Sequence, residues 1–167
     1  MRRFPATQDA PRLPNIGDPA PEFRLPSTEG DDIALADYRG KQAVVLYFYP
    51  KDDTPGCTRE ACAFRDLRSE FNAAGAEILG VSIDPIDSHH AFRSKFSLQF
   101  PLLADEDHAV HGQYGAWGPK VVAGQQVIGT LRNTYLIDRA GVIQGVFPTV
   151  TVDGHADEML QAIKALP

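Results

Sequence analysis

Apolar residues along this chain fall into two kinds of run. Ala43–Tyr49 (AVVLYFY) and Ala76–Ile83 (AEILGVSI) are nearly unbroken and rich in β-branched and aromatic residues. Such continuity predicts strands covered on both faces, as in the middle of an α/β sheet. Between them, Thr58 to Ala74 places Phe64, Leu67 and Phe71 at helical spacing and stops at Gly75, a C-cap residue. Shorter signals fill the remainder. Glu22–Leu25 and Asp32–Leu35 flank a turn at Ser27–Gly30 and predict a small hairpin. Asp84–Pro85 opens a helix to about Phe96, with Asp84 as N-cap and Pro85 in the first position. Pro101–Leu103 reads as a brief strand and Glu106–Tyr114 as a short helix. Thr134–Ile137 and Val142–Phe147 pair across the turn Asp138–Gly141, and Asp153 caps a last helix through Leu166. This order predicts an α/β fold, a mixed central β-sheet with flanking helices.

Residues 1–15 carry Pro5, Pro11 and Pro14 and no apolar periodicity, so they read as an arm, unstructured or draped on the surface. Residues 16–167 form one domain, since 167 residues divided in two would leave each part near the lower size limit. Met1-Arg2-Arg3-Phe4-Pro5 has positive charge but no apolar stretch behind it, unlike a secretory signal. No run approaches the ~18–20 apolar residues of a membrane span. Sixteen basic against 22 acidic residues give a net charge of −6, without a Lys/Arg cluster. That balance argues against nucleic acid and anionic membrane as partners. The expected setting is soluble and cytoplasmic, where thiols stay reduced unless they react.

Two cysteines are too few for a disulfide scaffold, and their placement gives them another use. Cys57 follows a central strand and a Pro/Gly-punctuated loop, Pro50 to Gly56, and lies where a helix begins. Loops after the carboxyl ends of central strands are where α/β folds place their sites. Unpaired N–H groups and the positive end of the helix dipole favour a thiolate there. Cys57 lines up with Phe64, Leu67 and Phe71 at about 100° per residue, whereas Cys62 falls about 160° from Phe64, beside Arg59, Asp66 and Ser69. A cysteine on a polar face is poorly explained as core. Five helical residues separate the two thiols by roughly 7.5 Å of rise, beyond the Cα span of a disulfide. The spacing therefore suggests a switch between a folded dithiol and a locally unwound disulfide. Zinc would need four ligands, and none of His89, His90, His108, His111 or His155 stands at knuckle spacing to C-x4-C. His89–His90 read as solvated surface residues at a helix start.

Pro50, Thr54 and Cys57 match the Pro-x3-Thr-x2-Cys pattern, and Pro55-Gly56-Cys57-Thr58-Arg59-Glu60-Ala61-Cys62-Ala63-Phe64-Arg65-Asp66 extends it. With Tyr114-Gly115-Ala116-Trp117-Gly118 and Arg132-Asn133-Thr134-Tyr135-Leu136-Ile137-Asp138, the chain resembles the peroxiredoxins, specifically the bacterioferritin-comigratory or Q-type subfamily. The resemblance runs from about Ile16 to Leu166. It implies a thioredoxin-like fold and reduction of hydrogen peroxide and organic hydroperoxides, without metal or other cofactor. It makes Cys57 the peroxidatic residue and Cys62 the resolving one. The intermediates it implies are a Cys57 sulfenic acid and a Cys57–Cys62 disulfide, recycled by thioredoxin or a similar dithiol.

Those residue types suit that chemistry. Arg132 supplies a permanent cation that favours thiolate and stabilises the developing negative charge. Thr54 offers a hydroxyl to accept from the hydroperoxide and donate to the thiolate. Pro50 shapes and shields the loop, and the N–H groups around Gly56 and Cys57 bind peroxide oxygens. Glu60 is expected beside this group, or as an acid favoured in the first helical turn; Trp117 is expected near the site or in the core. Because both cysteines lie in one chain, a monomer suffices. The other readings of the same dithiol are a general thiol–disulfide oxidoreductase and a redox-sensing or chaperone-like protein.

Overall fold

A computed structural model describes residues 12–167. The arm expected over residues 1–15 falls mostly outside the described residues. Of it, residues 12–15 are described, and the backbone of Arg12 and Leu13 lies against Gly115.

Among the described residues, nine strands and four α-helices follow one another: β1 (Arg24–Leu25), β2 (Ile33–Ala34), β3 (Ala43–Phe48), α1 (Pro55–Ala73), β4 (Ala76–Ser82), α2 (Ile86–Lys95), β5 (Leu102–Ala104), α3 (Ala109–Gln113), β6 (Trp117–Val122), β7 (Gln125–Thr130), β8 (Thr134–Ile137), β9 (Ile143–Phe147) and α4 (His155–Lys164). The central sheet has the order β5-β4-β3-β8-β9. β3, β4 and β5 are parallel, and β8 and β9 return antiparallel. Every residue of β3 and β4 is buried, as their unbroken apolar runs predict.

Alternation along β3 divides the core. Val45 and Tyr47 pack with Phe64 and Phe71 of α1, Phe92 of α2 and Met159, Leu160 and Ile163 of α4. Val44, Leu46 and Phe48 face the opposite way, toward Leu25, Ile33, Val110 and Tyr114. The sheet is thus covered by α1, α2 and α4 on one side and by the β1–β2 hairpin and α3 on the other.

Three expectations need correction, and one hairpin lies where no element was expected. Asp84 does not cap α2: Pro85 is the N-cap, and the Asp84 carboxylate accepts from the Asp52 backbone N–H and Ser82 Oγ. Asp153 does not cap α4 either; Gly154 does, while Asp153 faces Arg59 at 3.6 Å. The helix expected over Glu106–Tyr114 is only α3, Ala109–Gln113. The β6–β7 hairpin has no counterpart in the apolar pattern because it pairs only with itself, leaving Val121, Val122, Val127 and Ile128 exposed.

Candidate active site

β3 ends at Phe48, and the chain crosses the carboxyl edge of the sheet through Pro50–Thr54 before α1 begins at Pro55. The helix starts three residues earlier than the apolar periodicity predicts. Thr54 is extended (φ −92°, ψ 156°) and takes the N-cap, and Pro55, whose missing N–H costs nothing there, takes the first helical position. Cys57 is therefore the third residue of the helix, with its side chain turned inward and 1% exposed. The first bond to the helix entrance is Thr58 N–H to the Thr54 carbonyl at 2.8 Å. The N–H groups of Gly56 and Cys57 precede it and have no intrahelical partner, which concentrates the positive end of the helix beside the sulfur.

A guanidinium completes the arrangement from across the sheet. Arg132 lies just before β8, the antiparallel neighbour of β3, so strand pairing brings it to the edge that α1 leaves. Its Nη2 donates to Cys57 Sγ at 3.3 Å, and its Nη1 donates to Glu60 Oε1 at 2.6 Å. A Cβ on Gly56 would lie 3.4 Å from that Nη2, so glycine leaves room for the close approach. The backbone around Arg132 is held on both sides: Val150 N–H donates to its carbonyl at 2.7 Å, and Asn133 N–H bonds back to Leu131 at 2.8 Å. Asn133 is 1% exposed; its amide donates to the Gly115 carbonyl and Tyr135 Oη and accepts from Thr149 N–H.

Glu60 is one turn beyond Cys57 on the same helix face, 1% exposed, and its Oε2 has no hydrogen-bond partner among the described residues. Burial pushes its carboxyl up to about 7, against the pull of the Arg132 charge and hydrogen bond. Arg132, in turn, is held more firmly protonated by Glu60 and Cys57, although burial opposes this. One cation thus serves two buried acidic groups, a thiol and a carboxyl.

The other expected residues divide. Thr54 Oγ1 donates to the Lys51 carbonyl at 2.9 Å, so its proton is not given to the sulfur; its lone pairs remain free to accept. Pro50 is half-buried at the end of β3. Trp117 stacks flat on His108, with centroids 4.1 Å apart, and meets His111 edge-on. Cys62 is half-exposed in the same unbroken helix as Cys57, and both thiols are free. A cleft of about 510 Å³ near Asp153 and His155 is lined by none of Pro50, Thr54, Cys57 or Arg132.

His89 corrects the sequence reading most sharply: it is fully buried, while His90 beside it is exposed. Its Nδ1 meets Asp52 Oδ2 at 2.7 Å and its Nε2 meets the Leu103 carbonyl at 2.9 Å. Asp52, Asp84 and His89 are close enough together for a cation. Their facing atoms are already joined to one another and to Tyr49, Ser88 and Ser82, which fits a satisfied network rather than a metal centre. Neither Asp52 nor Asn133 was marked by residue spacing. The signal for Asp52 was its place inside the Pro50–Cys57 loop, and for Asn133 its place next to Arg132.

Comparison with known proteins gives a consistent set. Residues 16–146 match the AhpC/TSA family. A bcp protein of Coxiella burnetii is 49% identical over 145 residues, 87% of this chain and 95% of its own length. Peroxiredoxin Bcp of Escherichia coli K12 is 43% identical over 148 residues, 89% of this chain and 94% of its own. The bacterioferritin comigratory protein of Xanthomonas campestris, solved in work on its alkyl peroxide reduction, is 40% identical with a TM-score of 0.80. The match covers 86% of this chain and 90% of that one.

Proposed function

The chain belongs to the AhpC/TSA family as a thioredoxin-fold peroxiredoxin, a peroxidase, and we propose that Cys57 is its peroxide-reactive thiol and Cys62 its resolving thiol. The observation that carries the assignment is the Arg132 guanidinium 3.3 Å from Cys57 Sγ at the entrance of α1. The Cys57 thiolate attacks one hydroperoxide oxygen; the O–O bond breaks and the other oxygen leaves as hydroxide or alkoxide, to be protonated to water or alcohol. Arg132 and the N–H groups of Gly56 and Cys57 face the charge as it develops. Thr54 Oγ1, its own proton committed to Lys51, accepts the hydroperoxide O–H. Glu60 holds Arg132 from the far side, and Pro50 bounds the loop.

Cys57 is then a sulfenic acid, with the sulfur oxidised by two electrons. The first turns of α1 unwind, the Cys62 thiol displaces water, and an intramolecular disulfide forms. An external dithiol of the thioredoxin type reduces it by exchange and is itself oxidised. Hydrogen peroxide and alkyl hydroperoxides are the substrates, and no metal or organic cofactor enters a step. Since both thiols lie in one chain, we infer a monomer, working in the reducing cytoplasm. The test is peroxide-dependent NADPH oxidation coupled through thioredoxin and its reductase. A peroxide reaction no faster than that of a free thiolate would favour a disulfide-exchange enzyme or a sensor instead.

A further inference from the structure

The loop that delivers Cys57 is tied down most heavily at one buried residue. Asp52 is 7% exposed, and its carboxylate collects three donors. Tyr49 Oη reaches Oδ1 at 2.6 Å, while Ser88 Oγ at 2.8 Å and His89 Nδ1 at 2.7 Å reach Oδ2. Its backbone N–H donates to Asp84 Oδ2 at 2.8 Å. On the far side of the imidazole, Nε2 faces the Leu103 carbonyl at 2.9 Å. A carbonyl only accepts, so Nε2 is the donor to Leu103, which leaves Nδ1 facing the Asp52 carboxylate. The end of β3 and α2 therefore converge on the Asp52 carboxylate, the turn after β4 holds its backbone N–H, and β5 braces the imidazole from behind, two residues before the N-cap of α1.

The next residue has the opposite character. Asp53 is exposed and bends in the left-handed region at φ 59°, held by a solvent-facing pair with Lys95. Beyond it lie the turns that must open before Cys57 can meet Cys62, since roughly 7.5 Å of helical rise separates the two. A firmly held point followed by a loosely held bend defines where opening starts.

We propose that the buried Asp52–His89 pair is a positioning device that holds the start of α1 against Arg132 for the peroxide step and is the fixed end from which residues 53–61 unwind toward Cys62. The inference rests on the peroxidase reading above. Its signature is a split between two steps. Loosening the pair depopulates the folded arrangement that peroxide attack needs, but not the opened one that disulfide formation needs.

The experiment uses the full chain, reduced, in stopped-flow oxidation by hydrogen peroxide, followed by quenched alkylation and mass analysis to time disulfide formation. His89→Gln, which reaches one acceptor but not both, is expected to slow oxidation about tenfold, the weight of one charge-assisted hydrogen bond. Disulfide formation is expected to be as fast or faster. Ser88→Ala removes one donor from Asp52 and gives a milder split, about two- to threefold; it decides the matter alone if His89→Gln does not fold. Arg68→Met breaks the pair with Glu77 at the opposite end of β4 and controls for lost stability. Equal slowing of both steps, slowing matched by Arg68→Met, or no change in either network variant overturns the proposal. An unmodified chain without a fast peroxide step would instead overturn the peroxidase reading.

Discussion

Replacing Glu60 by Gln removes a titrating group while keeping an oxygen for Arg132 Nη1, which Glu60 Oε1 now meets at 2.6 Å. The carboxyl is 1% exposed, its second oxygen has no partner among the described residues, and burial lifts it from 4.5 to about 7. The sign follows from where the proton is held. Between those two values the folded chain keeps the Glu60 proton and the unfolded chain has lost it. Stability from this group is therefore fully present below pH about 4.5 and is lost as pH rises through about 7. The displacement corresponds to about 3 kcal/mol. Gln at position 60 has no such dependence. Urea unfolding of both proteins in a non-thiol reductant, at intervals from about pH 4 to pH 8, isolates the effect, because every other titrating group is common to both. The native chain is expected to lose about 3 kcal/mol relative to Glu60→Gln across that window. A difference that stays flat, or that grows in favour of the native chain toward alkaline pH, would refute the reasoning that Glu60 is a desolvated carboxyl only partly compensated by Arg132.

Cys57→Ser is expected to abolish peroxide consumption, whereas Cys62→Ser keeps the first oxidation and loses thioredoxin-dependent turnover; intact turnover in Cys62→Ser would remove Cys62 from the cycle. For Arg132, the hydrogen bond from Nη2 to the reacting sulfur at 3.3 Å is charge-assisted, and losing it costs about 2 kcal/mol. Arg132→Ala should then slow peroxide attack roughly 30-fold, with partial recovery in Arg132→Lys, and unchanged stopped-flow rates would place the guanidinium outside the reaction. Because Cys62 lies in the same helix as Cys57, disulfide formation should outrun further oxidation. Intact-mass analysis should show no gain of about 32 Da at micromolar peroxide, and such a sulfinic species there would contradict easy unwinding.

Much of this is legible in the sequence alone. Ala43–Tyr49 and Ala76–Ile83 read as central strands, because a strand covered on both faces is apolar at nearly every position. Cys57 and Cys62 could be assigned to opposite faces of one helix by angle alone, and the structure has Cys57 buried and Cys62 half-exposed. Local sequence is ambiguous where the outcome depends on what lies across the fold. Thr54-Pro55-Gly56 reads equally as loop or as helix entrance, and the entrance is chosen because Pro55 fits the first turn while Cys57 and Phe64 find a core beneath them. His89 and His90 are indistinguishable as neighbours; the packing of α2 on β5 turns one to Leu103 and leaves the other in water. The β6–β7 hairpin has no buried face along most of its length, so periodicity had nothing to register. Arg132 and Cys57 are 75 residues apart, and their contact exists only because β8 returns antiparallel beside β3. Residue types and spacing determined which chemistry the chain can perform. The pairing of strands and the covering of the sheet decided which charge meets which thiol, since burial and electrostatic proximity are properties of the folded whole.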